Sequence, residues 1–242
     1  MDRYELKAYK KNFEYSYSPG AFPTFELLNK RPQEALGVLV SPTFTEMEKL
    51  KNVCAKHGIE VWEDEKRLSR LSDKENVFVM GVFRKYAQEL SAADPHIVLV
   101  SPSNMGNAGT ILRTALAFGY HDIAIIGNAV DICHPKVVRS SMGAMFSLRI
   151  QNFETFEEYR AAFPKHAIYT FMLTGKKQLT VEEAMKQSAT PFSLVFGNEA
   201  TGLPPEYENY GTSLKIPQSD EVDSLNITIA VGIGAYLFRP IG

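Results

Sequence analysis

Five polar residues stand where this chain could place chemistry. They are Asn107 and Arg113 in "SPSNMGNAGTILRTALAFG", Glu199 in "FGNEATGLPPE", and Ser224 and Asn226 in "IPQSDEVDSLN". Arg113 lies among Ile111, Leu112, Thr114, Ala115, Leu116 and Ala117. A guanidinium in such a run either reaches water along its aliphatic stem or points into a cleft to grip phosphate or carboxylate. Glu199 sits in a glycine-flanked, tightly bent stretch. It reads as a surface acid, a loop anchor or a partner for Arg113. Gly106 and Gly109 permit a tight turn or a close backbone approach. Asn107 is placed to cap the helix that follows, and Ser224 to cap the last helix, which leaves Asn226 with less structural explanation.

These residues need elements to hold them, and the hydrophobic pattern supplies candidates. "HIVLVS", "PFSLVFG" and "GTSLKIP" precede the three polar segments and read as strands. "AGTILRTALAFG", closed by Gly119, reads as a helix, and a final helix is expected from about Ser224 to Phe238. "DIAIIG" and "KHAIYTFML" add two strands and "TVEEAMKQS" a helix. Upstream, "FELLNKRPQ", "TFTEMEKLKNVCAKHG" and "EKRLSRLS" read as helices, the second with Gly58 as its C-cap. "ALGVLVS", "IEVWE" and "NVFVMGVFRK" read as strands, the last at a sheet edge. Strands alternating with helices predict an α/β chain whose mostly parallel sheet is covered on both faces. In such sheets the loops after the strand carboxyl ends share a crevice, so the three polar segments are expected to meet. The predicted division is an N-terminal extension over 1–25, a small α/β unit over 26–92 and a larger unit over 96–242.

Composition narrows the classes. The 242 residues are 45% hydrophobic and 22% charged, enough for a sizeable core. A formal charge of -2 gives no overall basic field for nucleic acid, although a local patch remains open. Cys54 and Cys133 are far apart, which disfavours a disulfide scaffold and a four-ligand zinc site. His57, His96, His121, His134 and His166 show no metal-ligand spacing and are expected on the surface or in loops. No metal is expected. Trp62 is expected in the core or at a subunit contact. "VGIGAY" falls inside the expected final helix with no strand before it, so helix packing accounts for Gly232 and Gly234 better than a dinucleotide loop does. There is no P-loop and no G-x-S-x-G elbow. The charged start "MDRYELKAYKKNFEY" lacks a signal-peptide core and no stretch reaches membrane-span length. A cytoplasmic protein without membrane contact is expected.

Taken in order, "NMGNAGTILRTALAFG", "SLVFGNEATGLP" and "IPQSDEVDSLNITIAVGIGAY" resemble the motifs of the SpoU/TrmH-like RNA ribose 2′-O-methyltransferases, of the α/β-knot (SPOUT) class. The resemblance spans about residues 96–240. "VVRSSMGAMFSL" resembles the family's Ser-Gly segment. Residues 26–92 resemble, more loosely, the small L30e-like substrate-binding domain that often precedes this catalytic domain. The resemblance implies a C-terminal domain with a trefoil-knotted cofactor site, S-adenosylmethionine held by its loops, an RNA substrate, and a homodimer whose site draws on both subunits. It implies Asn107, Arg113, Glu199, Ser224 and Asn226 as the catalytic set. It implies Phe196, Gly197, Asn198, Ile216 and Leu225 as the cofactor pocket. Gln218 and Ser219 depart from the family's usual Met and small residue, and Gln218 is expected to change the pocket wall.

The implied chemistry suits RNA, because only RNA offers a 2′-hydroxyl. In-line positioning of that oxygen supplies much of the rate. The resemblance makes Arg113 either the base or a phosphate clamp beside it. A guanidinium stays protonated, so binding the adjacent phosphate and polarising the hydroxyl is the favoured role. Asn107, Ser224 and Asn226 would orient Arg113 and the ribose. Glu199 would hold Arg113 or brace the cofactor loop. Lys51, Lys56, Lys66, Arg67, Arg70, Arg84 and Lys85 of the small unit are candidates for RNA contact or a solvated face. Ribosomal RNA is the favoured target from the two-domain layout, with transfer RNA as the alternative. A non-catalytic RNA-binding protein is disfavoured by the intact catalytic set. A nucleotide-dependent oxidoreductase is disfavoured by the missing strand–glycine–helix fingerprint.

Overall fold

The computed structural model describes residues 6–72, 74–185 and 191–239. The chain divides into two compact units. One is Met1–Tyr86 with Asp131–Ser147, and the other is Ala87–Val130 with Leu148–Gly242.

The first unit is built on four strands, β1 (Tyr15–Pro19), β2 (Ala35–Val40), β3 (Val61–Glu63) and β4 (Val79–Arg84), in the order β1-β4-β2-β3. β4 runs antiparallel to both β1 and β2, and β3 is parallel to β2. The strand expected at an edge is therefore internal. Its first five residues are all buried, which only an internal strand with both faces covered requires. Alternation sorts the side chains. Leu39, Met80 and Val82 pack with Tyr15, Tyr17 and Trp62 on one face. Val38, Val40 and Val79 pack with Phe25, Leu28, Leu50 and Cys54 on the other. The second face is covered by α1 (Ala21–Lys30) and α2 (Met47–His57), and α3 (Glu65–Leu71) supplies Leu68 to the first. α2 ends as expected on Gly58, in the left-handed region at φ 66°.

Two boundaries differ from the sequence reading. β1 lies within the segment expected to be an extension over 1–25, of which residues 1–5 are outside the described residues. Its five backbone pairings with β4 make it part of the sheet. Residues 131–147, expected in the larger unit, cluster with the small one. The cause is contact chemistry. α5 (Pro135–Ser140) lies along β1, Phe146 packs edge-on against Phe83 at 5.2 Å, and Arg31 Nε donates to the Phe146 carbonyl at 3.0 Å. The Ser-Gly segment thus turns sharply, with Met142 and Gly143 both at positive φ, to fit against α1.

The second unit holds seven strands: β5 (His96–Val100), β6 (Asp122–Ile126), β7 (Arg149–Phe153), β8 (Ala167–Phe171), β9 (Lys177–Gln178), β10 (Phe192–Phe196) and β11 (Thr212–Lys215). Their order is β7-β6-β5-β10-β8-β11-β9, and each described pairing is parallel. β5, β6 and β10 are buried at all five positions, as apolar runs covered on both faces must be. α4 (Met105–Ala117) packs along α8 (Ile227–Leu237), while α6 (Phe156–Ala162) sends Phe156 and Tyr159 into the core with Val98, Ala124 and Val195. β7 and α6 are absent from the sequence reading. The signal for α6 was present in "TFEE", whose Thr155 and Glu158 form a reciprocal capping box. The helix expected through "TVEEAMKQS" is present as α7 (Val181–Met185), and residues 186–188 lie outside the described residues.

The amino edge of this sheet corrects another expectation. His96 is buried in β5 rather than on the surface or in a loop, while His166 lies in the loop before β8, as expected, but is buried. His96 Nδ1 hydrogen-bonds the Tyr159 hydroxyl at 2.8 Å and its Nε2 meets the Ser91 carbonyl at 2.8 Å. Ser193 Oγ joins Tyr159 at 2.6 Å and His166 Nδ1 at 3.0 Å. Beside them the buried Asp122 carboxylate accepts from Arg149 and from the Ser91 N–H at 2.9 Å. Burial holds both imidazoles below their ordinary range. Parallel pairing brings distant strand starts to one edge, which spacing along the chain does not show. Among the described residues, no helix is long and apolar enough to cross a membrane and no group of three or more acidic, His or Cys residues is placed to hold a metal ion.

Candidate functional site

Because the strands are parallel, all their carboxyl ends share one edge. The insertion of β10 beside β5 makes the loops after these two strands neighbours. The chain leaves β5 at Ser101, whose backbone is left-handed at φ 49°. Asn104 then starts α4: its Oδ1 accepts from the Asn107 N–H at 3.0 Å. The cap is thus Asn104, not Asn107. Two asparagines three residues apart offer the same cap chemistry, and the extended backbone of Asn104 selects it. That frees the Asn107 side chain.

After β10 the chain makes a tight turn. A Cβ on Gly197 would overlap the backbone of Gly202, so the close approach requires glycine. Asn198 and Gly202 pair through two backbone bonds of 3.2 and 2.9 Å. Asn198 Oδ1 accepts from the Ala200 and Thr201 N–H groups, and its Nδ2 donates to the Ser101 carbonyl at 2.8 Å.

Glu199 sits at the top of this turn and faces donors. Oε2 accepts from Ser103 N–H at 3.0 Å and Ser103 Oγ at 2.9 Å. Oε1 accepts from Asn104 N–H at 3.1 Å and Asn107 Nδ2 at 3.4 Å. Partial burial raises the Glu199 pKa. The backbone N–H groups of Ser103, Glu199 and Asn104 and the Ser103 hydroxyl outweigh it and hold the carboxyl below its usual range. Glu199 therefore braces the loop after β5. No bond joins it to Arg113, which is exposed on α4 without a hydrogen-bond or ion-pair partner among the described residues.

The third segment follows β11. Asn226 caps α8, its Oδ1 accepting from Thr228 N–H at 2.8 Å and Thr228 Oγ1 at 2.7 Å. The cap expected at Ser224 is two residues later. Ser224 instead lines a cavity of about 520 Å³. The same cavity is lined by all five residues of the implied cofactor pocket, Phe196, Gly197, Asn198, Ile216 and Leu225, and by Gln218 and Glu199. Phe171 stacks on Phe196 at 4.3 Å to make the apolar floor. Gly234 of α8 lies under both rings, and a Cβ there would fall 2.8 Å from Phe171 Cζ and 3.0 Å from Phe196 Cζ. Asn107, Arg113 and Asn226 do not line the cavity. Ser103 and Asn104 were missed as site residues, although "NMGN" carried the capping signal.

In the small unit, the basic candidates divide. Lys51 pairs with Glu63 at 2.9 Å, Arg67 with Asp64 at 3.4 Å, and Lys85 donates to the Lys11 carbonyl at 2.7 Å. Lys56, Lys66, Arg70 and Arg84 are exposed.

The model of the SpoU rRNA Methylase family matches residues 94–236. This chain belongs to that family. An uncharacterized tRNA/rRNA methyltransferase of Synechocystis sp. is 35% identical over 144 residues, 59% of this chain and 52% of the relative. The 23S rRNA (adenosine(1067)-2′-O)-methyltransferase of Streptomyces laurentii is 28% identical over 65% of this chain and 61% of its own. The chain thus spans about half to three fifths of the curated relatives it matches. The solved AdoMet-bound rRNA methyltransferase of Sinorhizobium meliloti shares the fold, with a TM-score of 0.78 over 93% of this chain and 87% of that one at 24% identity. The SpoU match covers the strands and loops that build the cavity.

Proposed function

We propose that this SpoU-family chain is an S-adenosylmethionine-dependent methyltransferase that modifies a ribose 2′-hydroxyl in ribosomal RNA. One observation carries the reading: the turn after β10 and the segment after β11 enclose one cavity, lined by the five residues that the family motifs supply. The fit to the methyl donor is physical. Phe171, Phe196, Ile216, Leu225 and Ile227 offer an apolar wall for a flat base. The bent backbone around Gly197 and Gly202 offers exposed polar groups, and the volume is that of a small-molecule pocket. When bound, S-adenosylmethionine supplies a sulfonium-activated methyl group.

The chain's own residues then divide the work. Glu199 has its oxygens committed to donors, so it positions rather than accepts a proton. Asn107 is steered by Glu199. Arg113, unpaired on α4, is available to grip the phosphate next to the target ribose and to polarise the hydroxyl. Asn226 has its Oδ1 occupied by Thr228, so its Nδ2 is the atom left to face substrate. Ser224 lies at the cavity wall beside it.

Several finer readings go with this. The exposed apolar side chains Ile229 (53%) and Tyr236 (51%) on α8 support a homodimer. The relative from Streptomyces laurentii, named for 23S rRNA, favours ribosomal over transfer RNA. A ribosomal target supports a cytoplasmic location. Lys56, Lys66, Arg70 and Arg84 give the small unit a means to contact RNA phosphates. The L30e-like character of that unit and the trefoil knot belong to the same reading.

The test is a map of 2′-O-methyl sites in total RNA from cells with and without the gene. One ribosomal ribose should lose its methyl group and regain it with purified protein and S-adenosylmethionine. Loss from transfer RNA alone would move the substrate. Tight RNA binding without methyl transfer would leave a binding protein.

A further inference from the structure

The turn after β10 does two things at once. Asn198 and Glu199 line the cavity, and both reach across to the loop after β5. That loop ends at Asn104, the cap of α4, and α4 carries Asn107 and Arg113. We propose that Ser103 and Asn104 are positioning residues in a clasp closed by Glu199, through which filling of the cavity fixes the first turn of α4 and the Asn107 side chain. This rests on the cavity holding S-adenosylmethionine.

The clasp, closed in this structure, is proposed to have an open state as well. Four donors from residues 103–107 converge on one carboxylate. Such charge-assisted bonds are strong when formed, yet Ser103 and Asn104 are exposed, so water competes for each of them. Ser101 works against closure. Its left-handed backbone, at φ 49°, carries a strain that a residue with a Cβ relieves when its loop is released. Asn198 Nδ2, bonded to the Ser101 carbonyl, helps to hold that strain. Contacts that a ligand makes to Asn198 and Glu199 therefore favour the closed form. The response is confined to the first turn, with Asn107, because Ala108, Ile111, Leu112 and Ala115 hold the rest of α4 in the core. By linkage, RNA contacts to Asn107 strengthen cofactor binding by the same factor.

The experiment is hydrogen exchange of the amides in residues 101–107, measured with and without S-adenosylhomocysteine, beside calorimetric titration of the same ligand. In the wild type the ligand should slow exchange in this segment by about tenfold or more, the scale of one charge-assisted bond. Glu199→Gln should show little slowing even at ligand concentrations that the titration shows to saturate it, since its amide would confront donors. Ser103 does not line the cavity, so Ser103→Ala should keep ligand affinity and lose part of the protection, and Ser103→Thr should restore it. Wild-type binding with unchanged exchange overturns the coupling and leaves the cofactor reading standing. Equal protection in Ser103→Ala and the wild type removes Ser103 from the clasp, and equal protection in Glu199→Gln overturns the clasp itself. If the wild type does not bind the ligand, the cofactor reading fails first and the coupling with it.

Discussion

Arg113 and Asn226 pose different experimental problems. Arg113 is exposed and has no side-chain hydrogen bond or ion pair among the described residues, so Arg113→Ala should shift folding stability by no more than about 0.5 kcal/mol. Methyl transfer should fall by about a hundredfold or more, the usual scale for losing a charged group that acts on the reacting atoms. Normal turnover would take Arg113 out of the site. Asn226 caps α8 and, in the proposed function, also faces substrate. Asn226→Ala should therefore cost about 1 kcal/mol of stability as well as rate. Asn226→Asp separates the two, because it keeps the cap acceptor and loses the Nδ2 donor. Thermal unfolding should be restored toward wild type while turnover stays low, and recovered turnover would leave Asn226 a cap and nothing more.

At the scale of elements, the wall between α8 and the cavity is the sensitive point. Gly234→Ala would press a methyl group against Phe171 and Phe196, and overpacking of this kind costs about 1–3 kcal/mol. Titration with S-adenosylhomocysteine should show weaker binding as the two rings tilt, and unchanged affinity would show that the floor adapts. The sequence exposed some of this and hid the rest. Strands such as "HIVLV" and "SLVF" were legible because burial on both faces leaves a continuous apolar run. The five pocket residues came from motif resemblance; nothing in their spacing brings Ile216 to Phe196. The caps at Asn104 and Asn226 were misplaced by a few residues, since Ser and Asn compete on equal terms until backbone angles are known. β4 looked like an edge because its internal position depends on β1, sixty residues upstream, which no local pattern reveals.

For the molecule as a whole, the amino edge of the parallel sheet sets a pH limit. His96 is faced there by His166, Tyr159 and Ser193, with the Asp122, Asp94 and Arg149 charges nearby. Unfolded, the two imidazoles take up protons near their ordinary value of about 6.5. Folded, burial holds them neutral below it. The unfolded chain therefore binds more protons as pH falls, and stability declines with it. Glu199, depressed in the folded state, acts in the same direction at lower pH. The urea midpoint should fall steadily below about pH 6.5, and a flat profile from pH 7 to about pH 5 would mean the pair is not held neutral.

The strand order also governs how the molecule comes into being. Among the described residues β8 pairs with β10 and β11 alone, and β10 fills the gap between β5 and β8. While a ribosome is still making this chain, β8 leaves the exit tunnel with no partner on either side, and β5 waits with one side bare. Late long-range pairing of this kind is slow and prone to misassociation. A nascent chain paused between Phe171 and Phe192 would have neither the turn that carries Glu199 nor a cavity. Competence to bind the proposed methyl donor would then arrive only late in synthesis, once the residues up to Ala230 that line the cavity have been made, and pausing in that window would be the point at which chaperone binding matters.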